Sequence, residues 1–164
     1  MTVKDVQKDT AAATMAITAE YDAGTDRVWQ LWADPRLLER WWGPPTYPAN
    51  VTEHDLTNGG TVRYSMTGPE GDTHHGLWRV IDVAPTARLV FEDSFSDSEG
   101  NVNAELPTTT TEVTITDRDG GGTTMNILTT FPSTEAMEQM MVMGMEEGMA
   151  AAMGQIDALL AEAS

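Results

Sequence analysis

The spacing of apolar and polar positions divides the chain into segments of different period. Between Thr14 and Asp22, Met15, Ile17, Ala19 and Tyr21 alternate with Thr14, Thr18 and Glu20, which predicts a half-buried strand. Gly24-Thr25 breaks it, with Thr25 the expected cap of a helix that carries Val28, Trp29, Leu31 and Trp32 on one side. Asp34-Pro35 then pairs an N-cap with a proline at the first helical position. Leu37, Leu38, Trp41 and Trp42 thus form a second short helix, ended by Gly43-Pro44-Pro45.

Six β-prone runs follow, at 49–56, 61–67, 73–83, 88–95, 108–117 and 123–131. Turn signals such as Asn58-Gly59-Gly60, Gly68-Pro69-Glu70-Gly71 and Asp119 to Gly122 separate them, and short turns imply antiparallel pairing. The acidic stretch from Ser96 to Pro107 reads as a mobile loop. After Pro132 the period changes again. Ser133 is the expected N-cap, and Met141, Met145, Met149, Ala152, Ile156 and Leu159 share one stripe at about 100° per residue. A continuous helix from there to Ala161 measures about 42 Å. Strand, two short helices, six strands and one long helix make an α+β fold, a curved antiparallel sheet covered on one face. So few helices cover such a sheet only in part. The gap is either filled by large side chains or left as a pocket, and the pattern allows both.

Composition narrows the function classes. The chain of 164 residues suits one domain, read here as 14–162 behind a flexible tail at 1–13. It has no cysteine, so disulfides, thiolate metal sites and a cysteine nucleophile are excluded. The net charge of −17, from 26 acidic and 9 basic residues, opposes nucleic acid and anionic membrane, which bind mainly through Lys and Arg. The lysines are Lys4 and Lys8, both near the start. No apolar run approaches the roughly 20 residues of a membrane span, and the start lacks the apolar core of a secretory signal. A cytoplasmic monomer or homodimer without membrane insertion is the expectation.

The motif Val28-Trp29-x-Leu31-Trp32-Ala33-Asp34-Pro35-x-Leu37-Leu38-x-x-Trp41-Trp42-Gly43-Pro44 resembles the N-terminal signature of bacterial homologues of the heat-shock-protein-90 ATPase activator, within the START-like (SRPBCC) superfamily. Gly76-Leu77-Trp78, Pro85-x-x-Arg88-Leu89-Val90-Phe91 and Gly144-Met145-Glu146-Glu147-Gly148-Met149 continue the match in order. The resemblance implies a helix-grip fold, a curved sheet wrapped round a long C-terminal helix with a cavity between them. It implies no single chemistry, since the superfamily includes lipid carriers, polyketide cyclases and drug-sequestering proteins.

Against that frame, Trp41, Tyr64, His75, Trp78, Phe91, Met141 and Met145 are the expected ligand-binding residues. Met is adaptable and suits a pliable wall, and aromatic side chains suit an apolar ligand. Which strand face lines the cavity depends on register, and a slip of one residue reverses it. His74 and His75 are adjacent on a strand, so they point to opposite faces and cannot chelate one ion together. Arg63 and Arg79 either anchor an anionic group or pair with surface carboxylates. No metal and no cofactor is expected, and no Gly-x-Ser-x-Gly or phosphate-loop motif occurs. The leading function is binding of a small hydrophobic or aromatic molecule rather than catalysis. Two alternatives stay open: a cyclase- or hydrolase-like enzyme on a polyketide-type substrate, using a residue such as His75, and a chaperone-interacting protein.

Overall fold

The computed structural model describes residues 3–162. Eight strands form a single sheet in the order β1-β2-β8-β7-β6-β5-β4-β3, antiparallel throughout. They are β1 (Val3–Asp9), β2 (Thr14–Tyr21), β3 (Ala49–His54), β4 (Thr61–Thr67), β5 (Thr73–Ala84), β6 (Arg88–Ser96), β7 (Thr109–Asp117) and β8 (Thr123–Thr130). Helices α1 (Thr25–Ala33) and α2 (Pro35–Trp41) connect β2 to β3. The C-terminal helical run follows β8 as α3 (Thr134–Val142), α4 (Met145–Met153) and α5 (Ile156–Glu162).

The period-2 pattern resolves into two faces. Met15, Ile17, Ala19 and Tyr21 of β2 are buried and alternate with half-exposed partners. Their neighbours Thr129, Ile127, Met125 and Thr123 on β8 lie in register beside them and are likewise buried. The inner face continues through Val113 and Ile115, Leu89 and Phe91, Trp78 and Val80, and Val62. Bulges between Val51 and Glu53 and between Val80 and Asp82 add local twist and bend.

Helices α1 and α2 close one end of this face. Asp34 caps α2 as expected, its carboxylate accepting from the Arg36 backbone N–H at 2.9 Å. The cap of α1 differs: Gly24 holds that position without a side-chain bond, and Thr25 is already the first helical residue. Trp32 sits at the centre of an aromatic cluster, its ring 4.8 Å from Trp41 and 5.9 Å from Trp42. Its indole N–H points at Met125 Sδ, 3.4 Å away. The Trp41 indole donates to Leu31 O at 2.9 Å, and His54 Nε2 lies 2.9 Å from Trp32 O. These bonds fix both helices to each other and to β3.

Three expectations are corrected. The tail assigned to 1–13 contains β1, whose residues Val3–Asp9 pair along β2; Met1 and Thr2 lie outside the described residues. An edge strand needs partners on one side only, so it forms without the apolar alternation that marks an inner strand. The stretch 96–107 is tied down rather than loose. Asp97 accepts from the backbone N–H of Glu99 and Asn101 and from the Asn101 amide, and Ser96 bridges to Val102. The hydrogen bonds from Asn101 hold the Asp97 carboxyl below its ordinary range.

Thirdly, the C-terminal run is three helices, not one. Ser133 caps α3 as expected, accepting from Ala136 N at 3.0 Å. Gly144 then adopts φ +89°, which ends α3 and begins α4 at a new phase. The single stripe fails for that reason. Ala136, Met137 and Met140 are buried in α3, whereas Met141, Met145 and Met149 are half-buried. Side-chain contacts anchor the run along its length. Thr134 Oγ1 donates to Thr10 O, Lys8 pairs with Glu146 at 2.6 Å, Gln155 Nε2 donates to Gly43 O at 2.7 Å and Arg40 pairs with Glu162 at 2.7 Å. Arg27 adds a hydrogen bond to Leu160 O.

Candidate functional site

The break at Gly144 opens a groove of about 420 Å³ between the α3–α4 junction and the end of the sheet. Met140, Met143, Gly144, Met145 and Gly148 form its helical wall. Met66 of β4, His74 of β5 and Phe95 of β6 form the sheet wall, and Pro44 and Tyr47 close it from the α2–β3 loop. Thioether, aromatic and glycine surfaces dominate, so the groove offers apolar contact with few fixed polar demands. Polar groups gather at the rim. Tyr47 Oη donates to Asp72 Oδ2 at 2.6 Å, and His74 Nε2 lies 3.4 Å from the same oxygen. The bond from Tyr47 lowers the Asp72 pKa and raises that of Tyr47 itself.

Behind Met140 and Phe95, which line both spaces, lies a small cavity of about 30 Å³ also lined by Tyr64, Asp93 and Thr109. Asp93 stands in the alternating series Leu89, Phe91, Asp93, Phe95, which places a carboxyl on the inner face. Trp78 and Thr109 are its cross-strand neighbours. Tyr64 Oη donates to Asp93 Oδ1 at 2.8 Å. Burial raises the Asp93 pKa to about 7, the Tyr64 bond opposing the rise. Burial, followed by the Asp93 charge and the shared bond, pushes Tyr64 well above its ordinary value, while the Trp42 indole acts the other way. The Tyr64 ring reaches this position because Gly76 lies opposite it on β5. A Cβ at Gly76 would stand 2.2 Å from the ring.

Below the small cavity the aromatic residues are packed solid. The rings of Trp78 and Phe91 stack at 3.9 Å, and Trp42 meets Trp78 edge-on at 4.9 Å. Among the described residues the indole N–H of Trp78 is buried without an acceptor, an uncompensated desolvation that costs about 1–3 kcal/mol.

The expected lining residues separate into groups. Met145 lines the groove and Tyr64 the small cavity. Trp41, Trp78 and Phe91 are fully buried in the core. Met141 is half-buried against the core, while Met140 and Met143, off the stripe assumed for a continuous helix, take the groove. His75 is corrected outright. It faces Ser65 and Ser96 across the sheet and borders a shallow depression with Arg63 on the outer surface. Its neighbour His74 turns to the groove side, as strand alternation requires. Arg63 and Arg79 are outer-face residues as well, Arg63 bonded to Ser98 O at 3.2 Å and Arg79 3.5 Å from Glu92. Asp93 is not among the expected residues, although an acid in register with Leu89 and Phe91 is legible as inward-facing. Among the described residues no three His, Asp or Glu side chains converge as a metal site.

Comparison with known proteins places this architecture. A crystal structure of a protein from Mycobacterium smegmatis is 46% identical over 96% of this chain and 96% of that one, with a TM-score of 0.89. A solution structure of a protein from Arthrobacter aurescens is 45% identical over 99% of this chain and 94% of that one, with a TM-score of 0.93. A protein from the dynemicin biosynthetic locus shares the fold alone, at 20% identity and a TM-score of 0.61 over 88% of this chain and 47% of that one. No curated protein matches the chain. Residues 22–161 match the family described as activator of Hsp90 ATPase homolog 1-like protein. With that match spanning most of its length and the helix-grip architecture behind it, the chain belongs to the Hsp90 ATPase activator homologue family.

Proposed function

We propose that the protein binds a small apolar or aromatic molecule in the groove between the β4–β6 face and the α3–α4 break. The observation that carries this reading is the lining. Four methionines, Phe95 and Tyr47 line an open groove of about 420 Å³, within the range of about 300–1,000 Å³ usual for small-molecule sites. Methionine side chains repack around different shapes at little cost, so the groove suits a class of ligands rather than one outline. The superfamily's use of this space for apolar cargo supports the same reading. A second reading, acid–base catalysis on a polyketide-type substrate, rests on one observation. A half-buried carboxyl with a pKa of about 7 lies behind the groove, so Asp93 rather than His75 is the acid–base group that such a reaction would use.

Gly148 provides the test. It lines the groove from within α4, and a Cβ built there meets nothing within 4 Å. Gly148→Phe therefore directs a ring at the groove from a position with room for its Cβ, and phenylalanine's better helix propensity than glycine's adds roughly a few tenths of a kcal/mol of stability. Nile red, titrated and followed by fluorescence, is expected to bind the native protein and to bind G148F at least about tenfold more weakly. G148F should melt no lower than the native protein. Equal Nile red binding by both proteins would refute the groove as the site.

A further inference from the structure

We infer that the ligand of this groove is a hydrophobic cation, an aromatic or alicyclic body bearing a protonated amine, with the amine seated on the Asp93 carboxylate. The inference rests on the groove reading and adds the chemistry of the ligand's polar end. Among the described residues, Asp93 is the one acidic side chain that lines the groove or the cavity behind it, Asp72 standing at the rim, and neither space is lined by Lys or Arg. Tyr64 occupies Oδ1, and among the described residues no other side chain donates to the carboxyl, which leaves Oδ2 for a ligand donor.

The surroundings suit a cation. Tyr64 is the titratable group facing Asp93, from β4; β5 contributes Trp78, β7 Thr109 and α3 Met140, none of which carries charge. Tyr64 and Trp78 offer aromatic surface beside the carboxyl, and such surface attracts a desolvated cation. A charge-assisted bond to a carboxylate is about twice as strong as a neutral one. The partition between groove and cavity consists of Met140 and Phe95. Met140 sits one turn before the helix break at Gly144, and its unbranched side chain is the movable part of that partition. The net charge of −17 raises the local concentration of cations around the whole molecule.

Three probes of one shape separate the possibilities: 2-naphthylmethylamine, 2-naphthylmethanol and 2-naphthoate, each competed against Nile red at a pH near 8. The native protein is expected to bind the amine about tenfold more tightly than the alcohol, with the naphthoate weakest. In Asp93→Asn the amine and the alcohol should fall within about twofold of each other, with D93S as the second variant should D93N not fold. The preference should survive about 0.5 M salt, which screens surface charge but not a buried pair. Equal binding of the three probes by the native protein would overturn the inference while leaving the groove reading intact. A preference that persists in D93N, or that vanishes with salt, would overturn it by assigning the effect to the acidic surface. Failure of Nile red itself to bind would remove the groove reading and this inference with it.

Discussion

Trp32→Ala is expected to lower the free energy of unfolding by about 3–5 kcal/mol. Its ring is fully buried at the point where α1, α2 and the sheet meet. It lies 4.8 Å from Trp41, 5.9 Å from Trp42, 6.0 Å from Trp78 and 6.2 Å from Phe91. Truncation leaves a cavity that these rigid neighbours cannot fill, and it removes the indole donor from Met125. Domains of this kind are stable by only about 5–15 kcal/mol, so the loss is a large share of the total. Urea unfolding followed by far-ultraviolet circular dichroism reads it as a fall in the midpoint. Trp32→Phe should fall by less, since an aromatic face remains. A loss below about 1 kcal/mol for W32A would show that the cluster collapses around the gap, contrary to the packing described.

The second large effect concerns Asp93. Its folded pKa of about 7 stands above the unfolded value of about 3.9. The folded state therefore holds a proton that the unfolded state has released between those two values. The stability that this proton provides is complete below about pH 4, declines as pH rises through 7 and is absent above it. One pKa unit corresponds to about 1.4 kcal/mol, so the whole span is worth at most about 4 kcal/mol. Asp97 and Glu162 act in the opposite sense, because Asn101 and Arg40 hold their carboxyls low, but their contribution is lost only in more acid solution. Asp93→Asn keeps an acceptor for Tyr64 and removes the titration. It should be more stable than the native protein by about 2–4 kcal/mol above neutral pH, and its stability should no longer fall between pH 4 and 7. Unfolding curves across that range test this. A D93N protein less stable than native at alkaline pH would contradict the burial of the charge. A carboxyl that weakens the fold at neutral pH is consistent with a binding role rather than a structural one.

Much of the fold was legible because it follows from local chemistry. Turn glycines and period-2 alternation delimited β4 without error and the other middle strands to within a residue or two. Asp34 and Ser133 capped the helices that they were expected to cap. What failed depended on information that no local window carries. Gly144 and Gly148 look alike in sequence, yet only Gly144 of the two takes a left-handed conformation, so α3 docks independently of α4, with Met140 in the groove wall and Met141 against the core. His74 and His75 differ in facing by one register step, fixed by pairing with Met66 and Ser65 across β4. Trp41 ended in the core because its helix turns toward Leu31 before the chain reaches the groove. Asp93 is legible in hindsight from its place two residues after Phe91 in an inward-facing alternation, but an acid there signals a site only once pairing shows Trp78 and Thr109 beside it.

Ligand entry at the helix break, as proposed above, is reported directly by the methionine methyl groups. A carbon–proton correlation spectrum of methyl-labelled methionine should be recorded while 2-naphthylmethylamine is titrated in. The resonances of Met66, Met140, Met143 and Met145 should shift together to saturation, while Met15 and Met125, buried in the opposite half of the sheet, stay fixed. A titration that leaves those four unmoved, or that shifts all the methionines alike, would contradict the account.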